Sequence, residues 1–401
     1  MTILKRLFSE GFRIFFLTAC VFALVAIGIW VTYLARVYAG GSPDFAPAMV
    51  PMQWHSHEMI FGYGGAALAG FFMTAVPNWT GAKGAPARFM AVVFGLWLAG
   101  RLAIWWSGAL PAPLVAAADL SFMPVLAFKM ATLLLKAPKP QQMIFLLTLA
   151  LVWAANLSCH LEWLGVIANG VEPGLRAGLF GLVAMILILG GRVTPGFTRN
   201  AMVSSGREDR LPRNPAALAV ISAAPALALG PAILAGLPAY VLAALAGVAG
   251  TVALVRLALW RGAWTLSRPI LWTMHLSYGF AGVGLLAWAA ATLNLLPELS
   301  ALHVLGIGAV GGMTLSILTR ASLGHAGRPL VAPRPVALAY GLMPLATLAR
   351  CAAAEYDAVA VPGTLIAGAL WLVSFALVLA VFWPIWRDAR PPRKPVRPPP
   401  A

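Results

Sequence analysis

Twelve long apolar runs divide this chain, and they leave few folds open to it. With soft boundaries they are residues 14–35, 58–77, 89–107, 113–135, 142–161, 174–193, 215–235, 238–259, 269–293, 301–319, 335–353 and 361–385. Each is near the ~20 residues that an α-helix needs to cross a bilayer core. Only Gly236-Leu237-Pro238 separates the seventh run from the eighth. Lipid offers no partner to a free N–H or C=O, so each crossing segment must satisfy its own backbone. The runs therefore predict an all-α, polytopic transmembrane helix bundle of about 12 spans. Composition agrees. Charged residues make up 10% of the chain, hydrophobic ones 61%, and the mean hydropathy is +0.86. A soluble domain would carry roughly a quarter charged residues.

The formal net charge is +16. On a soluble protein that excess would suggest nucleic acid. Here the charges fall in short loops between apolar runs, so membrane topology explains them and no nucleic-acid partner is expected. With the N-terminus inside, most of the 28 Lys and Arg lie in inner segments, the exceptions being Arg36, Arg101, Lys129, Arg176 and Arg350. Both termini are therefore expected to be cytoplasmic, with the lipid bilayer as the obligatory partner. Lys5 and Arg6 before a long run resemble a cleavable signal, but the run is long enough to span and reads as a retained first helix. Residues 1–386 are expected to form a single transmembrane domain. Residues 387–401 read as a basic, Pro-rich, disordered cytoplasmic tail. The second, sixth and tenth runs end alike, around Thr74–Gly81, Gly190–Arg199 and Leu318–His325. That spacing hints at three four-helix pseudo-repeats of the kind transporters carry.

The three cysteines form no CxxC or CxxCH, so neither a covalently attached c-type haem nor a thiolate cluster is indicated. The six histidines are more informative. Topology puts His55, His57, His160 and His303 at outer ends of spans, and His275 and His325 toward the inner side. His303 and Arg320 are separated by roughly 25 Å of straight helix, so His303 and His325 cannot share one mononuclear site. The expectation is an outer group of four and an inner pair. Neutral imidazole suits iron, copper and zinc, and it is the ordinary axial ligand of haem. A polar group inside a span is a functional candidate by default. The plainer alternative is an interfacial histidine bonded to water or headgroups, and it weighs most for His160 and His325. Residues two apart on a helix diverge. So His55 and His57 chelate one metal only from an extended or turned segment; otherwise one binds and the other supports.

Supporting groups follow from position. Glu58 and Glu162 lie near the outer histidines and could accept an imidazole proton. Tyr278, three residues after His275, shares its face. Arg101 and Asp119 could pair within the bundle or meet haem propionates. Arg320 and Arg328 could bind propionates on the inner side, with topological anchoring as the plainer reading. Met52, Met59 and Met274 could serve as soft copper ligands, but core packing is the better reading, since Met is frequent in apolar spans. No Walker, GxSxG or HExxH motif is present.

Several segments together carry a family resemblance. Trp54-His55-Ser56-His57-Glu58-Met59-Ile60-Phe61-Gly62-Tyr63 resembles the WHxHEMxFG motif of the NnrS family. Ala75-Val76-Pro77-Asn78-Trp79-Thr80-Gly81 is similar to its TAVPNWTG segment, and Gly190-Gly191-Arg192-Val193-Thr194-Pro195-Gly196-Phe197-Thr198-Arg199-Asn200 to its GGRxxPxFTRN segment. The run from Thr319 to Leu330 resembles TRASLGHTGRPL, with Ala326 in place of the usual Thr. His275-Leu276-Ser277-Tyr278 and the stretch from His303 to Gly308 match two further positions. The resemblance runs from about Phe12 to Trp386. It implies a multi-pass protein of the bacterial cytoplasmic (inner) membrane that binds haem and copper. It also implies a role in the nitric oxide response, in nitrosative stress resistance or denitrification, with nitric oxide or its iron complexes as partner.

The division of ligands is this sequence's own inference. His55, His57, His160 and His303, with Glu58, form an outer metal site. His275 and His325, with Tyr278, Arg320 and Arg328, form an inner cofactor site. Two other functions stay open: a membrane transporter of metal, haem or a small anion, and a redox enzyme of the nitric oxide reductase or oxidase type. Against the latter, closely spaced histidine motifs on core helices are missing.

Overall fold

The computed structural model describes residues 2–136, 138 and 140–391. Within them, twelve helices are long and apolar enough to cross a membrane. They are α1 (Gly11–Tyr38), α2 (Pro51–Thr80), α3 (Ala87–Trp105), α4 (Ala112–Leu134), α5 (Gln142–Trp163) and α6 (Val171–Ser204). The second half comprises α7 (Ala216–Leu234), α8 (Ala239–Ala258), α9 (Pro269–Thr292), α10 (Glu298–His325), α11 (Arg334–Glu355) and α12 (Asp357–Arg387). No strand occurs among the described residues. Lys139 and the tail from residue 392 onward lie outside the described residues, so the disorder expected there is not addressed by the fold.

Three helices run well past the apolar boundaries. α2 continues to Thr80, α6 to Ser204 and α10 to His325. The similar segments at the ends of these three runs are thus last helical turns. Hydropathy ends a span where polar residues begin, whereas the helix continues as long as its backbone bonds can form. Pro77 and Pro195 sit inside α2 and α6. Gly81, at φ +66°, closes α2 in the left-handed conformation that an L side chain avoids.

The same three helices share a second feature. Each carries a π-helical segment: Glu58–Tyr63 in α2, Ile186–Gly190 in α6 and Val304–Gly311 in α10. A π turn adds one residue to the helix, shifts the downstream face and leaves carbonyls to be satisfied from elsewhere. Side chains from neighbouring helices do this in α2 and α6. The Trp97 indole donates to the Gly62 carbonyl at 2.9 Å. The Arg256 guanidinium donates to the carbonyls of Leu187 at 3.2 Å and Gly191 at 2.9 Å. Glycines flank each segment and let neighbours approach closely. A Cβ on Gly191 would lie 2.6 Å from Arg256, and one on Gly311 2.5 Å from Trp371.

The packing order positions these helices. α2 touches α6, α6 touches α10 and α10 touches α2. Around them α4 packs on α5, α8 on α9, and α12 back on α1, which closes the ring. α2 and α6 are the most buried of the twelve, with α9 and α10 next. The two ends of the chain meet on one face, where Arg13 donates to the carbonyls of Ile385, Trp386 and Asp388.

Candidate metal centre

The first turns of α2 explain the divergence of its histidines. Pro51 occupies the first helical position, where a missing N–H costs nothing, and Pro51–His57 is regular α-helix. Two residues along such a helix amount to about 200° of rotation, so His55 and His57 face opposite ways. The π segment begins at Glu58, directly after His57.

His57 is fully buried and meets a polar network built from four helices. Its Nδ1 lies 3.0 Å from Glu58 Oε1. Its Nε2 lies 2.9 Å from Asn156 Oδ1 and 3.3 Å from Asp119 Oδ2. His160 Nε2 lies 2.8 Å from the same Asp119 oxygen, and Asn156 donates to it at 2.8 Å. Arg101 pairs with both Glu58 and Asp119. α4 breaks at Ser121, just after Asp119, and Gly100 of α3 lets the two helices come close there. Trp163 and Phe61 close the His57 side with ring centroids 5.3 and 5.0 Å away.

Ligand atoms of His57, Asp119 and His160 all lie within 4.8 Å of one another. Two imidazole nitrogens and a carboxylate oxygen, with an amide oxygen beside them, suit copper, zinc or iron. Glu58 behind the other His57 nitrogen is the outer partner that metal-bound imidazoles usually have. Charge gives an independent test. Two carboxylates and one guanidinium leave a net −1 when both histidines are neutral. A buried uncompensated charge is strongly unfavourable, so the group calls for one proton or one cation. The residues fit a metal ion.

The outer four histidines are thus two groups. His55 is stacked on Trp30, with centroids 4.6 Å apart, and its Nδ1 is buried without a partner. His303 and Arg350 lie within its electrostatic reach. His303 Nδ1 bonds the Leu299 carbonyl at 2.8 Å, which leaves Nε2 as its free nitrogen.

The inner residues have separate surroundings. His275 Nε2 meets Thr198 Oγ1 at 2.9 Å, and a Cβ on Gly262 would lie 3.3 Å from its Nδ1. The His275 Nδ1 is buried without a partner. Tyr278 accepts from Arg256 at 2.8 Å and packs on Trp260, so its hydroxyl is engaged. His325 stacks on Phe12 at 5.7 Å. Arg320 lies over the Phe197 ring at 3.9 Å and lines an open cleft of about 700 Å³ with Arg268. Arg328 is exposed. Glu162 accepts from the backbone N–H groups of Gly170 and Val171 and caps the start of α6, rather than reaching a histidine.

Two buried residues escaped the sequence reading. Asn156 carried no signal, being one amide in an apolar run. Arg256 reads as an inner-loop anchor, yet it is buried and bonded to Ser222, Tyr278, Asn214 and the α6 carbonyls.

Twelve apolar helices around a buried histidine–carboxylate group define a multi-pass membrane protein with a candidate metal centre. The chain belongs to the NnrS family: the family model described as NnrS protein matches residues 6–390. None of the curated proteins compared with it matches the chain.

Proposed function

We propose that this protein binds copper and haem in the bacterial cytoplasmic membrane and acts in the nitric oxide response. Its partner is nitric oxide or an iron–nitrosyl complex, and both termini face the cytoplasm. The observation that carries the copper assignment is the convergence of His57 Nε2, His160 Nε2 and Asp119 Oδ2 at a place that is one positive charge short. Copper supplies one-electron chemistry and affinity for small ligands there. His57 and His160 would hold it, Asp119 would add charge, and Glu58 would fix the His57 ring through Nδ1. Arg101 pairs with both carboxylates. Trp163 and Phe61 exclude water.

For haem, the proposed ligands are the outer pair, His55 and His303. Each offers an imidazole nitrogen that no protein group uses. The two centres then lie on opposite sides of α2. The test is copper and haem per protein in single variants purified from membranes. His57→Ala, His160→Ala and Asp119→Asn should lose copper and keep haem. His55→Ala and His303→Ala should do the reverse, and His275→Ala should keep both. Full copper in all of the first three variants would end the copper assignment.

A further inference from the structure

The three π segments lead to one place. Where α2, α6 and α10 meet, a half-open cleft with about 70 Å³ of free space is lined by residues in or beside those segments. Gly64, Ala67 and Leu68 come from α2, Leu182 and Met185 from α6, and Val310 from α10. Gly64 follows the end of one π segment directly, Gly190 ends the second, and Val310 lies in the third. Space left between closely packed helices at three matching irregularities is a built feature.

We propose that this cavity is a binding site for a small, uncharged, apolar molecule of the size of xenon or a diatomic gas. Its volume is several times the ~10–15 Å³ that one water needs. Its wall, however, offers water almost nothing. Thr314 is the one hydroxyl-bearing residue that lines it. The Tyr63 hydroxyl, on the α2 π segment, is buried without a partner. An ordered water takes two to four polar partners, and an apolar cavity stays dry and takes apolar guests. A charged or strongly hydrated ligand would lose its water with nothing in return. Gly64 is seven residues beyond His57, roughly 10 Å along the helix. The inference stands on the cavity alone and is independent of which metal the His57 group takes.

Xenon is the probe. Crystals of the full chain pressurised with xenon should show one xenon atom among Ala67, Met185 and Val310. In detergent, the wild-type protein should give a bound-xenon response in 129Xe saturation-transfer NMR. Ala67→Leu, which fills the space, should lose that response while keeping its helical circular dichroism. Empty cavity density in pressurised wild-type crystals would overturn the proposal. So would density there for water or a lipid tail, or a xenon response unchanged in a folded Ala67→Leu protein. Should Ala67→Leu not fold, the crystal result on the wild-type chain decides alone.

Discussion

The Nε2 of His57 lies 2.9 Å from the Oδ1 of Asn156, and this pairing orders the hydrogens of the whole buried group. Asn156 gives its amide N–H to Asp119, so its oxygen is turned to His57 and the ring must donate there. The other ring nitrogen then faces a carboxylate oxygen of Glu58. Arg101 pairs with both Glu58 and Asp119. Copper would take the place of protons, with Asn156 as the support that aims His57. Asn156→Ala is expected to weaken copper binding about 10–100-fold, as loss of an outer support usually does. Competition against a copper chelator measures this. Wild-type affinity in the variant would remove Asn156 from the centre.

Arg101 carries a heavier load. It is the cation paired with two buried carboxylates, and removing one partner of a buried pair costs about 3–5 kcal/mol. Arg101→Met should therefore unfold at markedly lower temperature in detergent. The triple variant with Glu58→Gln and Asp119→Asn should recover much of that loss, because no orphaned charge remains. Equal melting of Arg101→Met and the wild type would show that the pairs hold nothing together.

The twelve spans were legible because hydropathy and the bilayer set the same length scale. The pairing of Arg101 with Asp119 was also within reach, since two opposite charges in adjacent apolar runs have few other partners. What the sequence withheld was angular. His55 and His57 read as one cluster, yet a regular helix sends them to different neighbours. His275 and His325 lie at similar depth but have Thr198 and Phe12 as their respective contacts. The π segments have a faint signal, the glycines at 62–65, 190–191 and 306–312, that periodicity alone does not decode. Arg256 looked topological because a basic residue near a helix end usually is.

Arg256 supplies a third prediction. Its guanidinium reaches the freed carbonyls of Leu187 and Gly191 together with Ser222 and Asn214, a fork that an ammonium cannot reproduce. Arg256→Lys should leave at least one of those carbonyls without a donor, at about 1–3 kcal/mol. The loss should be local. Amide hydrogen exchange at residues 186–191 should quicken while exchange in α12 stays as it was. Uniform protection in the variant would mean that the π segment of α6 holds itself.

Two glycines in π segments should respond in opposite directions. A Cβ at Gly62 would lie 2.6 Å from the Phe22 ring and 3.0 Å from Arg101 Nη1. Gly62→Ala must therefore displace a packed ring or the guanidinium that serves Glu58, at about 1–3 kcal/mol for overpacking. Copper content should fall with it, since Arg101 is the group pushed aside. At Gly306, in the π segment of α10, a Cβ meets nothing within 4 Å. Gly306→Ala should be neutral or gain up to about 1 kcal/mol, because alanine loses less backbone freedom in a helix. Thermal unfolding and copper content measured on both variants check the pair. A Gly62→Ala protein as stable and copper-replete as the wild type would show that this close approach is not needed to seat Arg101.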